Sequence, residues 1–147
     1  MFSKAQMVRI NAESQVIRQF FPDFTLRFMD DICCWEGEMR TNSGKTYEIR
    51  AEIPEDYPDV RPSIYITWPC PVYDYFGNNL ATLGVSHEMH TYSPKGNMVQ
   101  LCVYRDERWS AEYTVYKCLK KARLWIEAFD VHQRTGKKMC DLLGTQE

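Results

Sequence analysis

Ile32-Cys33-Cys34-Trp35-Glu36-Gly37-Glu38-Met39-Arg40, then Thr41-Asn42-Ser43-Gly44, then Lys45-Thr46-Tyr47-Glu48-Ile49-Arg50-Ala51-Glu52-Ile53: this stretch decides the fold class. Cys33, Trp35, Gly37 and Met39 alternate with Cys34, Glu36, Glu38 and Arg40. Past the turn, Tyr47, Ile49, Ala51 and Ile53 alternate with Thr46, Glu48, Arg50 and Glu52. Successive strand residues point to opposite faces, so period-two patterning marks a sheet with one buried and one wet face. The Thr41–Gly44 turn is too short for a crossover, which makes the pair antiparallel.

Working outward, Phe24, Leu26 and Phe28 alternate with Thr25 and Arg27, and Ile64, Ile66 and Trp68 fall on one side of a strand from about Ser63 to Trp68. Four strands with short connections predict an antiparallel meander. Upstream, a helix from about Lys4 to Phe21 carries the loose apolar stripe Met7, Ile10, Ile17, Phe20 and Phe21 before Pro22 ends it. Ser3 and Gln6 fit a capping box. Downstream of Pro69-Cys70-Pro71 the periodicity is lost until about Tyr113, a long irregular stretch that a compact domain keeps mainly for function. A second long helix then starts near Ser110, read as its N-cap, with Val115, Cys118, Leu119, Ala122, Trp125, Ile126 and Phe129 on the sheet and Gly136 as its stop. Residues 137–147 read as a loosely held tail. The whole, 1–147, is expected to be a single α+β domain of two layers.

Bulk properties exclude several classes. A chain of 147 residues buries about 68–70% of its unfolded surface, so it folds without disulfide staples. With 18 basic and 20 acidic residues and a net charge of −2, there is no basic field for nucleic acid. No leader-like apolar run opens the sequence and no segment approaches the ~18 apolar residues of a membrane span, so no membrane association and a cytoplasmic setting are expected. Cysteines 33, 34, 70, 102, 118 and 140 then read as reduced thiols. No glycine-rich phosphate loop is present, and no cofactor is expected. His87-x-x-His90 with Cys102 offers three zinc-capable ligands, but without a C-x-x-C pair or an obvious fourth ligand no metal is expected either.

The irregular stretch holds the chemistry. His90-Thr91-Tyr92-Ser93-Pro94-Lys95-Gly96-Asn97-Met98-Val99-Gln100-Leu101-Cys102-Val103-Tyr104 leads to Trp109: a histidine, a Pro/Gly loop, a cysteine between aliphatics, then a tryptophan. Cysteine is commonly a packing residue, and Cys33, Cys34, Cys70, Cys118 and Cys140 are read that way or as surface thiols. Cys102, by its surroundings, is the candidate nucleophile, and Trp109 a packing anchor.

With Tyr57-Pro58 and Pro62 upstream, Leu101-Cys102-Val103, Trp109-Ser110-Ala111 and His90, the chain resembles ubiquitin-conjugating enzymes over roughly residues 4 to 130. Thr91 and Tyr92 stand where that family has Pro and Asn, and the histidine lies twelve residues before the cysteine instead of ten. The divergence is more similar to bacterial stand-alone conjugating enzymes of cyclic-oligonucleotide antiphage (CBASS) operons. The resemblance implies a ubiquitin-conjugating-like fold and a cysteine-dependent transferase. Such an enzyme carries the C-terminus of a protein cargo as a thioester and passes it to an amine. It also implies a cGAS-like nucleotidyltransferase as cargo, and an activating enzyme or an already activated C-terminus, since the chain has no nucleotide site. Within that chemistry His90 is read as support for the loop and Asn97 as a stand-in for the missing oxyanion donor. Asp106, with Glu107, would orient the amine or take its proton, and Lys95 is a weaker candidate as an acceptor. Two alternatives remain: a non-catalytic scaffold on the same fold, and a thioesterase using water as acceptor.

Overall fold

The structure, a computed structural model, describes residues 1–144. Helix α1 (Lys4–Phe20) is followed by strands β1 (Thr25–Met29), β2 (Ile32–Arg40), β3 (Thr46–Ile53) and β4 (Ser63–Trp68). A one-turn helix α2 (Leu80–Leu83), strands β5 (Thr91–Lys95) and β6 (Met98–Leu101), helix α3 (Val115–Thr135) and a short α4 (Met139–Leu143) complete it. All neighbouring strands are antiparallel, and the architecture is α+β.

The β2–β3 hairpin has the register its alternation demands, from Cys33 opposite Ile53 to Arg40 opposite Thr46. Trp35, Met39, Tyr47, Ile49 and Ala51 are buried. The buried face of α3, from Val115 through Phe129, joins the same hydrophobic cluster as Ile10 and Ile17 of α1. Gly37 is obligatory on close approach: a Cβ there would lie 2.4 Å from the Phe24 ring.

Five expectations are corrected. The sheet has six strands, in the order β1-β2-β3-β4-β6-β5, because part of the apparently irregular stretch forms a hairpin on the far side of β4. Pro94 in β5 is tolerated because β5 is an edge strand. Trp68 turns outward: the register shifts between Glu48 and Ile49, Thr67 becomes the extra residue, and the next side chain changes face. Cys34, assigned to the wet face, is fully buried beside Glu36. Helix α3 begins four residues later than read, with Thr114 as N-cap accepting from the Lys117 N–H at 3.2 Å. Ser110 closes only a turn ahead of it, its hydroxyl taking the Glu112 N–H. Finally, Met139 is completely buried and starts α4, so the beginning of the expected tail is packed; its end, 145–147, lies outside the described residues. The Ser3/Gln6 capping box is present, and Gly136 ends α3 in the left-handed conformation at φ +75°.

One buried carboxylate ties these layers together. Glu13 of α1 takes the Tyr57 hydroxyl (2.5 Å), the Arg9 Nε–H (2.9 Å) and the first N–H of α3, at Val115 (2.7 Å). A carboxylate at a helix N-terminus meets both unpaired N–H groups and the positive end of the helix dipole. The Tyr57 loop, α1 and the entry to α3 are thus fixed by one side chain.

Candidate active site

Strand β6 ends at Leu101, and Cys102 follows it directly. Its backbone N–H donates to the His90 carbonyl at 2.9 Å. The same carbonyl and that of Met89 accept from Trp125 Nε1 at 3.2 and 3.0 Å, so the helix behind the sheet grips the loop that supports the cysteine. His90 sits at φ +56° and is 3% exposed. Left-handed backbone is unfavourable for a residue with a Cβ and persists where its surroundings impose it. The imidazole of His90 stacks on His87, centroids 5.9 Å apart.

Cys102 is 9% exposed and stands outside the continuous apolar cluster. On one side it faces a cleft of about 240 Å3, whose lining includes His87, Tyr92, Arg105, Asp106 and Glu107. On the other it lines a small crevice with Lys121 and Leu124. The thiol is therefore at the edge of the core and largely enclosed, where a nucleophile partly exposed at the mouth of a shallow groove is the expectation from the sequence. Burial pushes the Cys33 and Cys34 thiols up to about 11 and about 12, and Cys118 is raised further by the same cause. These three are poor thiolates near neutral pH, as packing cysteines should be.

Tyr92, one strand over, lines the same cleft as Cys102, and its hydroxyl donates to the Tyr104 carbonyl at 3.1 Å. Its ring carries the Arg61 guanidinium at 4.1 Å from the centroid. Arg61 in turn is held by Asp106 (Nε to Oδ1, 2.6 Å) and reaches Gln100 Oε1 at 3.3 Å. Desolvation first, then the hydrogen bond with Cys102, raise the Tyr92 hydroxyl well above the usual phenol range. It stays protonated and acts as a donor, not a base. Trp109 anchors the segment beyond: its Nε1 donates to the Pro58 carbonyl at 2.7 Å, and its ring packs on Tyr104 and Tyr113.

His90, Asp106 and Glu107 are thus gathered around Cys102, but Asn97 is not. Asn97 sits in the β5–β6 turn, where it accepts from Asn79 Nδ2 at 3.3 Å. The whole of strand β6, Met98–Leu101, about 13 Å at ~3.3 Å per residue, lies between it and Cys102, so the structure does not bring Asn97 together with the cysteine. Lys95 is at the same distal end, salt-bridged to Glu52 at 2.7 Å. Asp106 is 76% exposed and engaged with Arg61. Among the described residues no group of three or more His, Cys, Asp or Glu side chains is placed to hold a metal ion, and no helix is long and apolar enough to cross a membrane. Arg61 and Arg105 were not legible as site residues, and Tyr92 was noted only as standing at the position of the family's Asn. Had Thr91–Leu101 been read as a hairpin, the pairing of Tyr92 with Gln100 would have brought Tyr92 near the cysteine.

No curated protein and no solved structure shows significant similarity to the chain. Residues 13–139, from the middle of α1 to the start of α4 and including the whole cleft, match the protein family described as Type II CBASS E2 protein. With most of its length and its candidate nucleophile inside that match, the chain belongs to the type II CBASS E2 protein family.

Proposed function

We propose that this protein is a conjugating transferase of bacterial antiphage signalling, with Cys102 as its nucleophile. The observation that carries the reading is the position of Cys102 inside the family match, at the edge of the core and lining a polar cleft. The Cys102 thiolate attacks the activated C-terminal carbonyl of a protein cargo, the activating group departs, and a thioester results. An amine then attacks that thioester and the sulfur leaves as thiolate. His90 supports the loop through its carbonyl, and the exposed carboxylates Asp106 and Glu107 draw the amine to the rim of the cleft. The cargo is a partner from the same antiphage system, with a cGAS-like nucleotidyltransferase as the first to test. It arrives activated, or an activating enzyme supplies the activation, and the setting is the cytoplasm.

The test is the intact mass of the protein after incubation with that cargo and its activation source. The wild type should gain a mass removable by thiol, Cys102→Ser a thiol-resistant ester, and Cys102→Ala nothing. An adduct that persists on Cys102→Ala would refute the reading. If the wild type binds the cargo tightly and takes no adduct, the non-catalytic scaffold is the better description.

A further inference from the structure

The cleft contains a donor for which the reaction outlined above has a use. We propose that Tyr92 is a catalytic residue whose hydroxyl donates a hydrogen bond to the negative charge that develops at Cys102, first on the thiolate and then on the oxyanion of each tetrahedral intermediate. This deepens the conjugation reading and rests on it for the oxyanion half.

Tyr92 and Cys102 line the same cleft of about 240 Å3, and the Tyr92 hydroxyl lies 3.1 Å from the Tyr104 carbonyl, two residues beyond the cysteine. A phenol has a single proton to donate and lone pairs to accept with. While the thiol is neutral, the Tyr92 proton is satisfied by the Tyr104 carbonyl. Once the thiol loses its proton, rotation of one hydroxyl turns that donor onto the sulfur. The oxyanion formed on attack is two bonds from the sulfur, so a donor that reaches the sulfur needs only a small adjustment to reach it. Hydrogen bonds to charged groups are stronger than those to carbonyls, so the charge wins the proton when it appears.

Preorganisation is what makes such a donor effective, and the ring is held on several sides. It is pinned in the β5–β6 ladder opposite Gln100. Arg61 lies over it, 4.1 Å from the ring centroid, and is itself fixed by Asp106 and Gln100. A cation over the ring withdraws electron density and strengthens the hydroxyl as a donor. Arg61 and Asp106 are therefore positioning residues.

Bond making and breaking balance without any proton leaving Tyr92. The thiolate electron pair forms the S–C bond as the carbonyl pair moves to oxygen, and collapse expels the activating group. In the second step the amine nitrogen forms the N–C bond, its proton goes to solvent, and collapse expels the Cys102 thiolate. Tyr92 donates a hydrogen bond at each stage and ends each stage as the phenol.

The test is Tyr92→Phe, which keeps the ring beneath Arg61 and removes one oxygen. The first readout needs no cargo: the pH dependence of iodoacetamide alkylation at Cys102, followed on its peptide. Titratable groups at the sulfur other than Tyr92 (His87, His90, Arg105, Asp106, Glu107 and Lys121) are the same in both proteins, so any difference belongs to the hydroxyl. The variant should show an alkylation midpoint about one pH unit higher, or about tenfold fewer thiolates at neutral pH. The second readout is single-turnover discharge of a preformed Cys102 thioester to a small amine. Its maximal rate should fall about a hundredfold, with the half-saturating amine concentration unchanged. An unchanged alkylation profile or an unchanged discharge rate would each overturn the proposal. If wild-type protein takes no cargo, the conjugation reading falls, and the alkylation profile still decides whether Tyr92 serves the thiolate.

Discussion

Replacing Glu13 with alanine should cost about 2–4 kcal/mol, although this residue does not line the cleft. Glu13 is 6% exposed and its carboxylate satisfies three donors. The Tyr57 hydroxyl belongs to a side chain that is 1% exposed, and an unsatisfied buried donor costs about 1–3 kcal/mol. Loss of the acceptor at the first turn of α3 adds about 1 kcal/mol. The Arg9 ion pair adds only a few tenths, because the guanidinium is more than a quarter exposed and keeps the Ala111 and Tyr113 carbonyls as acceptors. Urea unfolding at pH 7 measures the sum. With an m-value near 2 kcal/mol/M, a loss of ~3 kcal/mol moves the midpoint down by about 1.5 M. Glu13→Gln keeps an acceptor and should lose about half as much. In the double variant with Tyr57→Phe the two losses should fall short of additivity by about 1–2 kcal/mol, because the orphaned hydroxyl is gone. A Glu13→Ala variant within 1 kcal/mol of wild type would refute the view that one carboxylate joins α1, the Tyr57 loop and α3.

Further consequences follow from the thiols and the loop. Cys33 and Cys34 have folded pKa values raised above the usual 9.0, to about 11 and about 12, so their contribution to stability is complete below pH 9 and fades as pH climbs through 11–12. Urea midpoints should hold from pH 7 to 9 and drop beyond, and a Cys33→Ala/Cys34→Ala double variant should show a shallower alkaline fall. Asn97→Ala should change cargo charging and discharge by less than twofold, since its side chain is bonded to Asn79 at the distal turn; a tenfold loss would return it to the site. His90→Ala should lower activity with the pH profile of the remainder unchanged, and His90→Gly should retain more than His90→Ala because glycine accepts φ +56° without strain. The disappearance of an ionisation near 6.5 from the profile would instead make His90 a proton carrier.

The sequence by itself determined what is local or periodic. The alternation from Cys33 to Ile53 specified both faces of a hairpin, because a one-residue slip would have buried Glu36, Glu48 and Arg50. The α3 stripe and the caps at Ser3 and Gly136 are signals of one or two helical turns, and those too were legible. Cys102 stood out because its neighbours in sequence are its structural support. Tertiary structure decided everything that depends on residues distant along the chain. Strands β5 and β6 are too short, and too interrupted by Pro94 and Gly96, to announce themselves; pairing of β6 with β4, and of β5 with β6, makes them strands. Helix α3 starts at Val115, where Glu13, about a hundred residues earlier, accepts its first N–H. The placing of Asn97 and Tyr92 has the same physical reason. Sequence proximity put both on one loop, but in a hairpin the turn is the point farthest from the strand ends, and Tyr92, opposite Gln100, lines the Cys102 cleft while Asn97 sits at the turn.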